Sequence, residues 1–181
     1  NWDEMTNAGV YLGHMEDQLV GTSNAGAVTH AFGVKVQADS FGLDTEGNPV
    51  TSLSGEVGTT IMEEAIADGK ATAVINSGFI AEPGTGVFLA DTENRSNVTE
   101  ITAEIVESGT NAILGGGEIH YLPVGTVGRF GQEGIREDGR NLIHEAEAMG
   151  YTVVFTLEEL QSLPSDTEQV LGIFAAEDTY N

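Results

Sequence analysis

The sequence predicts an α/β fold, a mostly parallel sheet flanked by helices, and three observations lead there. Apolar runs of strand length recur at Ala71 to Asn76, Asn111 to Leu114, Tyr151 to Phe155 and Val170 to Phe174. Stretches whose apolar residues repeat at helical spacing lie between them. Most of these stretches stop at a glycine, as at Gly69, Gly109 and Gly150. Continuous apolar runs mark strands buried on both faces, and their alternation with amphipathic helices requires βαβ units.

Taken in chain order, the first element is an alanine-rich helix that opens near Thr22-Ser23. A polar stretch from Gln37 to Gly58, with the turn signal Gly47-Asn48-Pro49, reads as a surface loop. Thr60-Ile61-Met62-Glu63 is a capping box, followed by Ala65 and Ile66 on the same helical face. The strand at 71–76 comes next, then a helix carried by Val98, Ile101, Ile105 and Val106. The strand at 111–114 is stopped by Gly115-Gly116-Gly117, and the glycine-rich stretch from Gly125 to Gly139 reads as a second surface loop. Asp138 is the expected N-cap of a helix with Leu142, Ile143, Ala146 and Met149 on one face. The strand at 151–155, a short helix from Leu157 to Leu163 and the strand at 170–174 complete the order. No internal repeat, linker or low-complexity tract divides residues 1–181, so they are expected to form one α/β segment.

Charge narrows the partners. There are 29 acidic residues against 6 basic ones, a formal net charge of −23. A field of that sign repels nucleic acid and anionic membrane, and neither is an expected partner. It also repels itself unless cations screen it. The acids are scattered and do not repeat at a ligand spacing, which favours adaptation to a salty medium over a dedicated cation-binding surface. No apolar run approaches the roughly 18 residues needed to cross a bilayer. The chain has no cysteine, which excludes disulfides, thiolate metal sites and cysteine nucleophiles. It opens Asn-Trp-Asp-Glu without an initiator methionine, and is expected to be a mature, trimmed or excised piece.

Three places could carry chemistry. Ser23 lies where small polar residues run into the first helix, among free backbone N–H groups and the positive end of the dipole. That setting suits a nucleophile beside a bound phosphate. Spacing alone favours a plain N-cap supplied by Thr22 or Ser23. Arg95 precedes a helix start, where its charge opposes the dipole, so it is either solvated or employed elsewhere. Glu82, in Ile80-Ala81-Glu82-Pro83-Gly84-Thr85-Gly86, is a loop acid at the end of the first strand. His14, His30, His120 and His144 form no pair at zinc-ligand spacing and read as structural or surface residues.

Several segments resemble the alkaline phosphatase family. Gly21-Thr22-Ser23-Asn24-Ala25-Gly26-Ala27-Val28-Thr29-His30-Ala31-Phe32-Gly33-Val34-Lys35 resembles the family's Asp-Ser-Ala-Ala-x-Ala-Thr-Ala-x-x-Thr-Gly-Val-Lys. Asp39-Ser40-Phe41-Gly42-Leu43-Asp44 is similar to its Asn-Gly-Ala-Ile-Gly-Val-Asp. Leu114-Gly115-Gly116-Gly117, Arg136-Glu137-Asp138-Gly139-Arg140-Asn141-Leu142 and Val170-Leu171-Gly172-Ile173-Phe174-Ala175 follow in family order, from about Leu19 to Asp178.

The resemblance implies an α/β/α sandwich, of which this chain is an incomplete part. It places Ser23 on the serine that is phosphorylated during turnover and Thr22 on the aspartate before it, which normally helps orient the phosphate-binding arginine. Arg95 falls on that arginine, whose planar fork meets two phosphate oxygens. Glu82 falls on a threonine that binds magnesium, and a carboxylate is an adequate ligand for that ion. The implied cofactors are zinc and magnesium, with most zinc ligands outside this stretch, so the chain alone is expected to be nearly inert. The implied partners are a phosphate monoester and inorganic phosphate, in a periplasmic or secreted protein that forms a homodimer at full length. Two other readings stay open. One is a serine acyl hydrolase, since Gly21-Thr22-Ser23-Asn24-Ala25 approaches a nucleophile elbow without its final glycine. The other is a non-catalytic, salt-adapted acidic α/β module.

Overall fold

The computed structural model describes residues 4–7, 9–44 and 46–180. The helices are α1 (Ser23–Phe32), α2 (Ile61–Ala67), α3 (Pro83–Gly86), α4 (Val98–Glu107), α5 (Glu118–Tyr121), α6 (Leu142–Met149) and α7 (Leu157–Gln161). The strands are β1 (Ala73–Phe79), β2 (Ala112–Gly116), β3 (Thr152–Val154) and β4 (Val170–Ile173). All strand pairs are parallel, in the spatial order β1-β2-β4-β3. The α/β fold with a parallel sheet therefore holds.

The register puts Val74, Ile113, Leu171 and Val153 in one row across the sheet. On that face Val74, Ile113, Leu171 and Ile173 are buried and join the core with Ile101, Ile105 and Val106 of α4 and Leu142 and Ala146 of α6. Each of the Val, Leu and Ile side chains contributes roughly 1.5–3 kcal/mol by leaving water. The opposite face differs from the expectation of strands buried on both sides. Burial alternates along β1, and Ile75 is 68% exposed. Apolar character in β1 reports the composition of the run, while cover depends on what packs against it.

Local chemistry explains most boundaries. The side chain of Thr60 accepts from the N–H of Glu63, and Glu63 returns the bond to the N–H of Thr60. Gly33 and Gly150 close α1 and α6 at φ of 74° and 103°, which only glycine adopts at little cost. The N-cap of α6 is Asn141 and not Asp138, because the Asn141 side chain accepts from the N–H of His144. Asp138 is held three residues earlier by Arg136 and by the N–H of Arg140.

The strand β1 runs past the expected end at Asn76 to Phe79, through a register shift against β2 between Ile75 and Phe79. There the Asn76 carboxamide accepts from the N–H of Gly78 and donates to the Thr85 hydroxyl. The glycine triplet lets backbone approach backbone. Ala175 O receives the N–H groups of Gly117 and Glu118, and a Cβ on Gly116 would overlap the Glu177 carbonyl. The segment after β4 is thereby drawn across the strand ends.

Both glycine-rich loops reach the core. Phe41 and Val50 of the first are buried. In the second, Arg136 is only 2% exposed and donates to Thr99 O, His120 O and Asp138.

Candidate active site

The site lies at the carboxyl ends of the strands, where ligands of parallel sheets bind. Its first element is the start of α1. The Thr22 hydroxyl caps the helix by accepting from the N–H of Ala25 at 3.3 Å, and itself donates to Ala38 O at 2.5 Å. Thr22 thus takes the capping role and leaves Ser23, the first helical residue, exposed, with its hydroxyl free of any capping bond. A cap and a candidate nucleophile occupy adjacent residues, so the two readings of this turn do not compete. The first-turn N–H groups of Ser23 and Asn24 have no intrahelical acceptor and sit at the positive end of the dipole.

The second element is the turn after β1. Glu82 is the N-cap of α3, with Pro83 behind it. Its carbonyl accepts from the N–H groups of Thr85 and Gly86, and its own N–H donates to Phe79 O. The third element is the segment before α4, which carries Arg95.

These three converge on the Arg95 guanidinium. Its Nη1 donates to Ser23 Oγ at 2.7 Å and to Asn24 Oδ1 at 3.3 Å. Its Nη2 faces Glu82 Oε2 at 3.4 Å, with the Arg95 side chain 42% and the Glu82 side chain 37% exposed. Ser23, Arg95 and Glu82 are therefore brought together, while the Thr22 hydroxyl turns away toward Ala38. The cluster lies on the surface. A cavity of about 410 Å³ lined by Asp39, Asp44, Glu46 and Glu93 among others does not include it.

In the sequence Asn24 reads as filler in an alanine-rich helix. Its signal is a polar residue on the buried face of that helix, and it is buried in the fold. The segment following β4 also returns to this place. A Cβ on Gly78 would lie 3.1 Å from Asp178 Oδ1 and 3.8 Å from Glu82 Cγ, so glycine leaves room for both acids. A hydrogen bond to Asp178 holds the Tyr180 hydroxyl above its ordinary range.

The histidines take no part. Tyr11 Oη and His30 Nε2 are 3.2 Å apart at the surface. His144 is exposed on α6. His120 packs on the Phe79 ring, and burial lowers its imidazole to about 4, which keeps it neutral at neutral pH. Among the described residues, no group of three or more His, Asp or Glu side chains is placed to hold a metal ion. The residues present therefore do not fit a zinc site, and the Glu82 carboxylate faces the Arg95 guanidinium at 3.4 Å.

The fold places the chain among α/β proteins built on a parallel sheet, with an arginine and a serine paired at its carboxyl edge. The alkaline phosphatase family profile matches residues 1–181, and the chain belongs to that family. It is 30% identical to the repressible alkaline phosphatase of Saccharomyces cerevisiae over 173 residues, covering 90% of this chain and 29% of that protein. It is 28% identical to alkaline phosphatase 4 of Bacillus subtilis over 175 residues, covering 92% of this chain and 33% of that protein. The crystal structure of Thermus thermophilus alkaline phosphatase superposes with a TM-score of 0.77 at 25% identity, over 94% of this chain and 32% of that one. The chain thus spans about a third of the length of these relatives.

Proposed function

We propose that this chain supplies the nucleophile and the phosphate clamp of an enzyme that hydrolyses phosphate monoesters. The observation that carries the reading is the 2.7 Å approach of Arg95 Nη1 to Ser23 Oγ, made by residues 72 positions apart. A phosphoryl group entering between them would exchange that bond for two oxygens on the guanidinium fork. Ser23 Oγ then attacks phosphorus in line, a new Oγ–P bond forms, and the ester P–O bond breaks with departure of the alcohol. Arg95 and the N–H groups of the first turn of α1 steady the charge on the non-bridging oxygens. Water next attacks the phosphoserine, releases inorganic phosphate and restores the hydroxyl.

An unassisted serine is a weak nucleophile. In this reading zinc and magnesium, held mainly by residues outside the chain, would supply the charge that activates the hydroxyl and the water. The natural setting is a longer, periplasmic or secreted protein that pairs as a homodimer. No helix among the described residues is long and apolar enough to cross a membrane.

The deciding experiment uses the full-length protein with zinc and magnesium supplied. Hydrolysis of p-nitrophenyl phosphate should exceed that of p-nitrophenyl acetate, and Ser23→Ala should abolish the former. Preference for the acetate would favour acyl hydrolysis, and an unchanged phosphatase rate in Ser23→Ala would favour a non-catalytic module.

A further inference from the structure

We propose that Glu82 is a positioning residue for Arg95, and that with Asn24 it fixes the guanidinium in the orientation phosphate requires. The inference rests on the reading of Ser23 and Arg95 given above. Arg95 sits on a connecting segment, and its side chain is 42% exposed. Left alone, such a side chain would sample many rotamers, and ordering it would count against ligand binding. Two fixed acceptors hold it from opposite ends. Asn24 Oδ1 receives Nη1 at 3.3 Å from a buried position in the first turn of α1. Glu82 Oε2 faces Nη2 at 3.4 Å.

The mounting of Glu82 supports this role. Its backbone is pinned on both sides, by Phe79 O on its N–H and by Thr85 and Gly86 on its carbonyl, and Pro83 follows it. The Thr85 hydroxyl, itself donating to Ile80 O, also lies 3.1 Å from the Glu82 carbonyl. Thr22, next to Ser23, cannot serve, because its hydroxyl is taken by Ala38 and Ala25. The carboxylate that orients the guanidinium is thus placed on the turn after β1 and not beside the serine. An exposed pair of this kind adds little to stability. Its effect is on direction.

Charge and positioning act with opposite sign, which makes the test decisive. A carboxylate that is merely close to the site repels phosphate, so Glu82→Gln would tighten binding, most at low salt. A positioning carboxylate makes Glu82→Gln weaken it. We expect inorganic phosphate, titrated by calorimetry into the full-length protein, to bind Glu82→Gln about five- to tenfold more weakly. KM for p-nitrophenyl phosphate should rise by a similar factor with kcat within about twofold, and the thermal midpoint should not move. In an Arg95→Ala background the same substitution should no longer weaken binding.

Tighter phosphate binding by Glu82→Gln overturns the inference. So does a weakening that survives in Arg95→Ala, or one that saturating magnesium erases, since that marks a metal ligand. If Arg95→Ala binds phosphate as well as the native protein does, the proposed function itself fails. Loss in Arg95→Ala without loss in Glu82→Gln removes only the positioning role.

Discussion

Arg95 Nη1 and Ser23 Oγ meet at 2.7 Å although the two residues are separated by 72 positions and lie on different elements. The start of α1 presents the serine, and the segment before α4 brings the arginine over it. Contact of this length between an exposed hydroxyl and an exposed guanidinium is not a core requirement. Under the proposed function, the entropy spent in ordering both side chains is offset when a phosphate takes the place of that bond.

Arg95→Lys tests the geometry and not the charge. A lysine keeps the positive charge but offers a point donor where a planar fork is needed. Inorganic phosphate should bind the full-length Arg95→Lys protein about tenfold or more weakly, with Arg95→Ala weaker still. Calorimetric titration measures both. Native affinity in Arg95→Lys would show that charge alone suffices.

Salt should stabilise the protein. With a formal net charge of −23, self-repulsion favours expansion, and it weakens as the Debye length falls from about 10 Å at 0.1 M to about 3 Å at 1 M. The thermal midpoint should rise by several degrees between 0.1 M and 1 M sodium chloride. A flat or falling midpoint would mean that the acids are already paired or too dispersed to interact.

How much of this was legible depends on the range of each interaction. The Thr60 capping box, the glycine stop at Gly150 and the four strands are local patterns, and each appears close to where periodicity puts it. Asp138 misled as a cap because its true partner, Arg136, is fixed by Thr99 O and His120 O from elsewhere in the fold. The sequence ends β1 at Asn76 because Ser77-Gly78 has poor strand propensity, and what carries it on is pairing with β2 and the Asn76 side chain. The meeting of Ser23 with Arg95 has no local signature, and only the family resemblance points to it. Asn24 carries no signal in the spacing, because its value lies in its burial.

Glu118 should be a strong local stability determinant. Its side chain is 1% exposed, and its carboxylate accepts from the N–H of Arg129 at 2.7 Å and of Phe130 at 3.0 Å. Glu118→Gln keeps the shape but turns an amide NH2 toward one of those donors. The expected loss is about 2–4 kcal/mol in urea unfolding. Hydrogen exchange should quicken first at Arg129 and Phe130. Unchanged exchange at those two amides would sink the assignment.

Glu104 should give the chain a measurable pH dependence between its ordinary range and neutrality. Burial raises its carboxyl from 4.5 to about 7, opposed by the N–H of Asp91 and reinforced by the charges of Asp91, Glu100 and Glu107. The folded chain therefore holds the proton more tightly than the unfolded one. The stability from Glu104 is fully present below pH 4.5 and is lost as pH rises through about 7. Glu104→Gln has no proton to lose, and glutamine still accepts from the N–H of Asp91. The stability of Glu104→Gln relative to the native chain should accordingly climb between those limits and level off above them. Because Glu104 is only half-buried, the climb should be on the order of 1–2 kcal/mol after solvent screening. Urea unfolding of both proteins at pH 4.5, 6 and 8, at fixed ionic strength, gives the difference directly. A difference independent of pH would mean that water reaches the carboxylate in the folded chain and that its neighbours repel it less than their spacing implies.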